Sequence, residues 1–148
     1  MSNTESSKKK NSFSFRIIKI ALIDSFISED IEINTEDLKY SVGATIGMSN
    51  LAPDINVEMS YTFYSADEKV FSITVSTEYK LSKPKFIVEN DEIVERSCLA
   101  HLIQLSWNHL RGIQATLIKN TPLEGYYAPV ISPSKILKDL TPSEFASE

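Results

Sequence analysis

A chain of 148 residues falls within the usual span of one domain and is long enough to bury a core of its own. Its apolar fraction of 42% and charged fraction of 24% are those of a folded globular chain and exclude a charge-rich, aromatic-poor disordered one. Fifteen basic against twenty acidic side chains leave a net charge of −5, which argues against a long-range attraction for phosphate backbones, so nucleic acid is not expected as a partner.

Residues 1–12 are polar or small after the initiator methionine and have nothing to bury, so they read as a disordered tail ahead of a single domain over 13–140. Lys8, Lys9 and Lys10 are not followed by a continuous apolar stretch with a small-residue cleavage site, so no export signal is expected. Phe13, Phe15 and Ile17 then share one face of a strand, and the phase slips to Ile18, Ile20 and Leu22, as it does at a β-bulge. Ser28 to Asp37 carries Glu29, Asp30, Glu32, Glu36 and Asp37 with no compensating base, the pattern of a solvated acidic loop.

A second strand places Leu38, Tyr40, Val42, Ala44, Ile46 and Met48 on one face. Asn50 to Asp54, with Pro53, turns the chain into a third, where Ile55, Val57, Met59, Tyr61 and Phe63 align. Ala66 to Glu68 is a tight connection into a fourth, with Phe71, Ile73, Val75, Tyr79 and Leu81 opposite Ser72, Thr74, Ser76, Glu78 and Lys80. Short polar links leave no room for crossover helices, which predicts an antiparallel meander with one apolar face in need of cover. The longest uncharged stretch, Tyr40 to Pro53, is interrupted by polar residues and falls short of the ~20 apolar residues that cross a bilayer, so no membrane insertion is expected.

The cover comes from the C-terminal third. Asn90 or Asp91 can cap a helix with Asp91 or Glu92 in its first turn. Leu99, Leu102, Ser106, Leu110, Ile113 and Leu117 recur at helical spacing, widened by Cys98, Ile103 and Leu105. Gly112 interrupts the run and predicts a kink or break. Asn120 to Pro122 ends it, Gly125, Pro129 and Pro133 keep the chain irregular, Ser134 to Leu140 forms a short last helix, and 141–148 is a flexible tail. The fold class is therefore α+β: a four-stranded antiparallel sheet followed by C-terminal helices packed on it.

Reactive chemistry is hard to assemble from these residues. The lone Cys98 has apolar neighbours in Leu99 and Leu102 and reads as a buried small hydrophobe in a reducing, cytoplasmic compartment, not as a thiolate activated by His101. His101 and His109 are about 80° apart around a helix, so they form no metal-ligand pair, and no metal or cofactor is expected. Four glycines give no phosphate cradle, with Gly43 and Gly47 marking bends or a close approach of another chain, and the acidic loop lacks calcium-loop spacing. What remains is an aromatic-rich surface, from Tyr40 through Phe86 and Trp107 to Tyr127, of which most members pack the core and an exposed few would act in recognition.

The order of parts, and the segment from His109 through Arg111 and Thr121 to Ala128-Pro129-Val130, resemble the SecB export-chaperone family, as do Phe15 to Asp24 and Cys98-Leu99-Ala100. The resemblance spans most of Phe13 to Leu140. It implies a non-enzymatic holdase that binds unfolded polypeptide clients without ATP or cofactor and assembles as a dimer or tetramer through Phe15 to Leu22 and the long helix. Carried over by position, it places client binding on Tyr40, Val42, Ala44 and Ile46 of the second strand and on Ile136, Leu137 and Leu140 of the last helix. It also places docking of the SecA export motor on Asp24 and, where the second acidic place of the first strand reads Ser28, on the adjacent Glu29. Ser72 and Thr74 stand where the family has further docking residues, and a chain lacking part of that patch fits a dedicated chaperone of one partner, such as an antitoxin. Two readings of other classes use the same surface: a small-ligand-binding or enzymatic α+β domain working through His101 or His109, and a purely structural oligomer module.

Overall fold

The computed structural model describes residues 14–29, 32–48, 54–81, 88–89, 92–93 and 96–139, with backbone alone at 48, 88–89, 92–93, 96–97 and 139. Both expected tails, the turn at Asn50 to Pro53, the cap at Asn90 or Asp91, and Phe13, Phe86 and Leu140 lie outside the described residues.

Alternation of apolar and polar side chains sets the sheet. β1 (Phe15–Ile27), β2 (Leu38–Met48), β3 (Asp54–Ser65) and β4 (Glu68–Leu81) form one antiparallel sheet in the order β1-β4-β3-β2. β2, β3 and β4 are the expected meander. β1 is not: it pairs with β4, from Phe15 opposite Leu81 to Ile27 opposite Phe71, at the edge farthest from β2. The connection over 28–37 must therefore cross the end of the sheet from one edge to the other, which makes this a Greek-key order. That crossing also changes how the acidic loop behaves. Ile33 packs against the core, the Asn34 amide donates to Ser65 Oγ at 2.7 Å, and the Ala66 amide donates to the Asp37 carbonyl at 3.0 Å. The loop is thus anchored to the β3–β4 hairpin by its main chain, at the Asn34 amide and the Asp37 carbonyl.

That hairpin is as tight as the sequence indicates. Ala66 and Asp67 both have positive φ, 50° and 62°, the conformation of a two-residue turn whose twist matches the flanking strands. β1 carries the bulge expected at Ile18 and a second at Ile23, where the pairing with β4 skips a residue each time.

Two-residue strands β5 (Val88–Glu89) and β6 (Glu92–Ile93) pair with each other and precede α1 (Arg96–Leu117). Glu92 thus lies in a strand, and α1 opens at Arg96 with no acidic residue in its first turn. The helix runs through Gly112 without a break. Gly112 is exposed and nothing lies within 4 Å of where its Cβ would be, while Leu110 and Gln114 on either side of it are buried, so the packed face of the helix does not involve it. α1 lies on β3 and β4, and α2 (Pro133–Asp139) packs on α1.

The core sits between α1 and one sheet face. Ile55, Val57, Met59 and Tyr61 of β3 and Phe71, Ile73, Val75 and Tyr79 of β4 meet Leu99, Leu102, Ile103, Trp107 and Leu110. Cys98 is buried with them, as its neighbours indicate. β1 extends past this cover. Ile17, Ile18, Ile20, Leu22, Ile23 and Phe26 are each more than 40% exposed.

Candidate functional site

β2 is the other edge of the sheet, and its apolar face leads from core to surface along one strand. Ile46 is 0% exposed, Ala44 and Val42 are half-buried, and Tyr40 is 56% exposed. The Tyr40 ring lies 6.1 Å from that of Tyr61 on β3, which in turn stacks on Phe63 at 6.5 Å and meets Trp107 edge-on at 6.1 Å. Phe63 continues the row to Tyr126, 5.6 Å away. Cross-strand register explains the row, because Tyr40 stands opposite Phe63 and Val42 opposite Tyr61. Burial pushes the Tyr61 phenol up to about 12, so it stays neutral at any working pH.

The far wall is an extended segment that the helix holds by its backbone. Trp107 Nε1 donates to the Pro129 carbonyl at 2.8 Å, Arg111 Nε to the Ala128 carbonyl at 3.1 Å, and Gln114 Nε2 to the Tyr126 carbonyl at 3.0 Å. The Ala128 amide donates back to Gln114 Oε1 at 3.2 Å. The three side chains sit at i, i+4 and i+7, one face of α1, and together they satisfy main-chain groups that have no strand or helix to join. Held this way, the segment turns Tyr127 (57% exposed) and Val130 (80% exposed) to solvent. Tyr61, Phe63, Phe71, Gln114, Ile118, Leu123 and Tyr126 pack beneath it with no room for a water molecule, so the row is a floor and not a cavity.

Of the residues expected to bind a client, Tyr40, Val42, Ala44 and Ile136 reach the surface. Ile46 and Leu137 are core residues in this chain, and Leu140 lies outside the described residues. Asp24 stands opposite Thr74 on the outer sheet face, which also carries Ser72, and Glu29 is exposed beyond the end of β1. Sequence reading missed the clamp. Its one signal is Gln114 on the buried stripe of α1, an amide that needs partners there.

The two histidines are not brought together. The exposed His101 ring meets Phe15 edge-on at 5.8 Å. Half-buried His109 places Nδ1 2.9 Å from Thr77 Oγ1, and burial lowers its pKa from the ordinary histidine value. Cys98 is buried while His101 is exposed, which is not the geometry of an activated thiol. Among the described residues no group of three or more His, Cys, Asp or Glu is placed to hold a metal ion, and no helix is long and apolar enough to cross a membrane. An open recess of about 310 Å³ at the far end of the sheet is lined by Ser14, Phe15, Arg16, Lys80 and Leu81.

No protein-family model matches the sequence, and no curated protein does. The fold is similar to that of the Mycobacterium tuberculosis Rv1957 SecB-like chaperone, solved in complex with a ChAD peptide from the Rv1956 HigA1 antitoxin. That likeness has a TM-score of 0.54 at 11% identity and covers 80% of this chain and 91% of that one. A Streptococcus agalactiae protein of unknown function aligns over 82% of this chain and 97% of its own, with 12% identity and a TM-score of 0.38, too low to carry an argument. The four-stranded antiparallel sheet followed by helices is thus a SecB-like fold.

Proposed function

We propose that this chain is a holdase chaperone of the SecB-like kind, which keeps extended polypeptide on the apolar surface beside β2 without ATP, cofactor or catalysis. The observation that carries it is the aromatic row from Tyr40 through Tyr61 and Phe63 to Tyr126, walled by a segment that exposes Tyr127 and Val130. Many shallow aliphatic and aromatic contacts can hold unfolded chains of varied sequence without selecting one side chain. Tyr40, Val42, Ala44 and Ile136 are the contacts proposed for the client, with the core residues Ile46 and Leu137 supporting them from below and Leu140 proposed as a further contact. The test is suppression of aggregation of a chemically unfolded client, with Tyr40→Glu and Val42→Glu as weakened variants whose fold is checked by circular dichroism. No suppression by the parent protein at molar excess would sink the reading.

A dedicated client is the better-supported form of this reading. The similar Rv1957 protein was solved with an antitoxin peptide, and in this chain Asp24 stands opposite Thr74, with Ser72 on the same face, at the two places where the SecB resemblance puts further SecA-docking residues. We place the protein in the cytoplasm, where such clients are made.

Self-association belongs to the same proposal. β1 is a 13-residue strand whose apolar side chains Ile17, Ile20, Ile23 and Phe26 are exposed, a surface that a second copy can cover by side-chain packing. Arg16 and Lys19 lie in its first half and Asp24 in its second, so a second copy of β1 laid antiparallel sets opposite charges against each other.

A further inference from the structure

The sheet has two edges, and they are finished differently. β1 is interrupted by bulges at Ile18 and Ile23 and carries Arg16, Lys19 and Asp24. β2 pairs with β3 from Leu38 to Met48 without a single register shift. It contains no proline, and its one charge, Lys39, is held by Asp67 at 2.9 Å and lies 4.0 Å from Asp37. Natural proteins blunt an open edge with bulges, prolines, inward charges or a covering element. Among the described residues β2 has none of these past Lys39, and no strand pairs with its outer side.

An edge left regular over 11 residues presents alternate N–H and C=O groups at the spacing of a strand. Side chains of an added strand would fall on two different surfaces. One is the apolar side of Tyr40, Val42 and Ala44. The other is the outer sheet face, where Ser41 and Thr45 are exposed and Glu58 stands opposite Thr45. From Tyr40 to Met48 the strand has no charge, while Glu58 repels a carboxylate beside Thr45 and the whole chain carries −5.

We propose that a bound polypeptide docks by strand addition: an extended segment free of acidic side chains joins the outer edge of β2 as a further strand of the sheet. Its apolar residues lie toward Tyr40, Val42 and Ala44, and its hydroxyl residues lie toward Ser41 and Thr45. This rests on the reading that the chain holds extended polypeptide, and it deepens it by assigning affinity to main-chain hydrogen bonds and register to alternate side chains. Main-chain pairing also explains how one edge can accept many sequences.

The probe is a fluorescently labelled peptide alternating valine and threonine, followed by anisotropy, alongside two versions N-methylated on every valine amide or on every threonine amide. Main-chain and side-chain periods are both two residues along a strand, so all valine amides face one side and all threonine amides the other. Strand addition predicts that one methylated version binds about tenfold or more weaker, through loss of several hydrogen bonds, while the other binds like the parent. Glutamate in place of the threonines should weaken binding as well. Equal binding of the two methylated versions, equal loss by both, or no binding of the unmodified peptide overturns the proposal. So do disulfide-linked Ser41→Cys dimers that exclude the peptide, which would assign the edge to a second copy. Aggregation suppression that persists when the methylated peptides bind equally removes strand addition alone, whereas absence of suppression removes the holding function itself.

Discussion

The phenolic oxygen of Tyr79 on β4 lies 2.7 Å from Ser106 Oγ on α1, and neither side chain is reached by solvent. The same hydroxyl donates to the Leu102 carbonyl at 3.2 Å, so the centre of an otherwise apolar helix–sheet contact is fixed by a small polar network. Burial raises the Tyr79 pKa, which keeps the hydroxyl a donor. Tyr79→Phe strands the serine hydroxyl and should cost about 1–3 kcal/mol, and Ser106→Ala, which leaves the phenol its carbonyl partner, about 1 kcal/mol. The double variant should cost less than the sum, because replacing both partners leaves nothing unpaired. Urea unfolding of the four proteins measures this, and strictly additive costs would show that the pair is not coupled.

Thr77 and His109 make the second polar contact across the same interface, 2.9 Å apart with the threonine wholly buried. Burial lowers the histidine pKa in the folded state below its ordinary 6.5, so folding favours the neutral ring. The sign follows from linkage. Stability from this site is complete above the unfolded value, falls as pH drops through 6.5 toward the lower folded pKa, and is flat beneath that. Unfolding free energy measured between about pH 7.5 and 5 should decline in the parent and decline less in His109→Gln. An identical slope in both proteins would mean that another group dominates.

Much of the fold is legible from period-two alternation, because a strand with one covered face must repeat Ile55, Val57, Met59, Tyr61 along it. The bulge at Ile18 is legible for the same reason. Strand order is not, since alternation says which face is buried and nothing about which edge a strand joins. β1 therefore went beside β4 and the loop over 28–37 became a crossing. The helix start failed locally: acidic residues near position 91 look like a first turn, yet Val88–Glu89 and Glu92–Ile93 pair as strands and α1 opens at Arg96. Tyr40 and Val42 could be placed at the candidate site from sequence, while the clamp from Trp107, Arg111 and Gln114 could not: the buried Gln114 amide signals that partners exist, but they are main-chain groups that no side chain marks.

Glycine occupies an exposed helix position that does not use it, and alanine a turn that does not suit it. Gly112→Ala meets nothing within 4 Å and should stabilise the protein by about 1 kcal/mol through helix propensity. Ala66→Gly relieves a φ of +50° at the hairpin and should stabilise by roughly 0.5–1 kcal/mol once the added freedom of the unfolded chain is deducted. Each gain should raise the thermal midpoint by a few degrees. A lowered midpoint for Gly112→Ala would mean that the exposed face of α1 is covered in the assembled protein.

If β1 is covered by a second copy, charge placed in its apolar stretch should separate the copies before it unfolds the chain, since these side chains are already exposed in the single chain. Ile20→Lys and Ile23→Lys, at 44% and 56% exposure, are the positions to change. Light scattering after size exclusion should report a smaller species for the double variant, with an unchanged far-ultraviolet spectrum. A parent protein that is already monomeric would remove the pairing proposal.

Gln114 is 1% exposed and binds both sides of the segment behind the candidate groove, giving to the Tyr126 carbonyl and accepting from the Ala128 amide. Arg111 makes one bond to that segment from a half-buried position. Gln114→Leu keeps the volume but leaves a carbonyl and an amide unpaired in an apolar setting, which should cost about 2–4 kcal/mol, against roughly 0.5–1.5 kcal/mol for Arg111→Met. The loss has a local signature as well as a global one. Hydrogen exchange at the Ala128 amide should quicken in Gln114→Leu and stay protected in Arg111→Met, because only the first removes that amide's acceptor. If Gln114→Leu also weakens aggregation suppression at a temperature where it remains folded, the wall that carries Tyr127 and Val130 must be held in place for the groove to work. Unchanged suppression alongside quickened exchange would show that β2 and its aromatic row act without that wall.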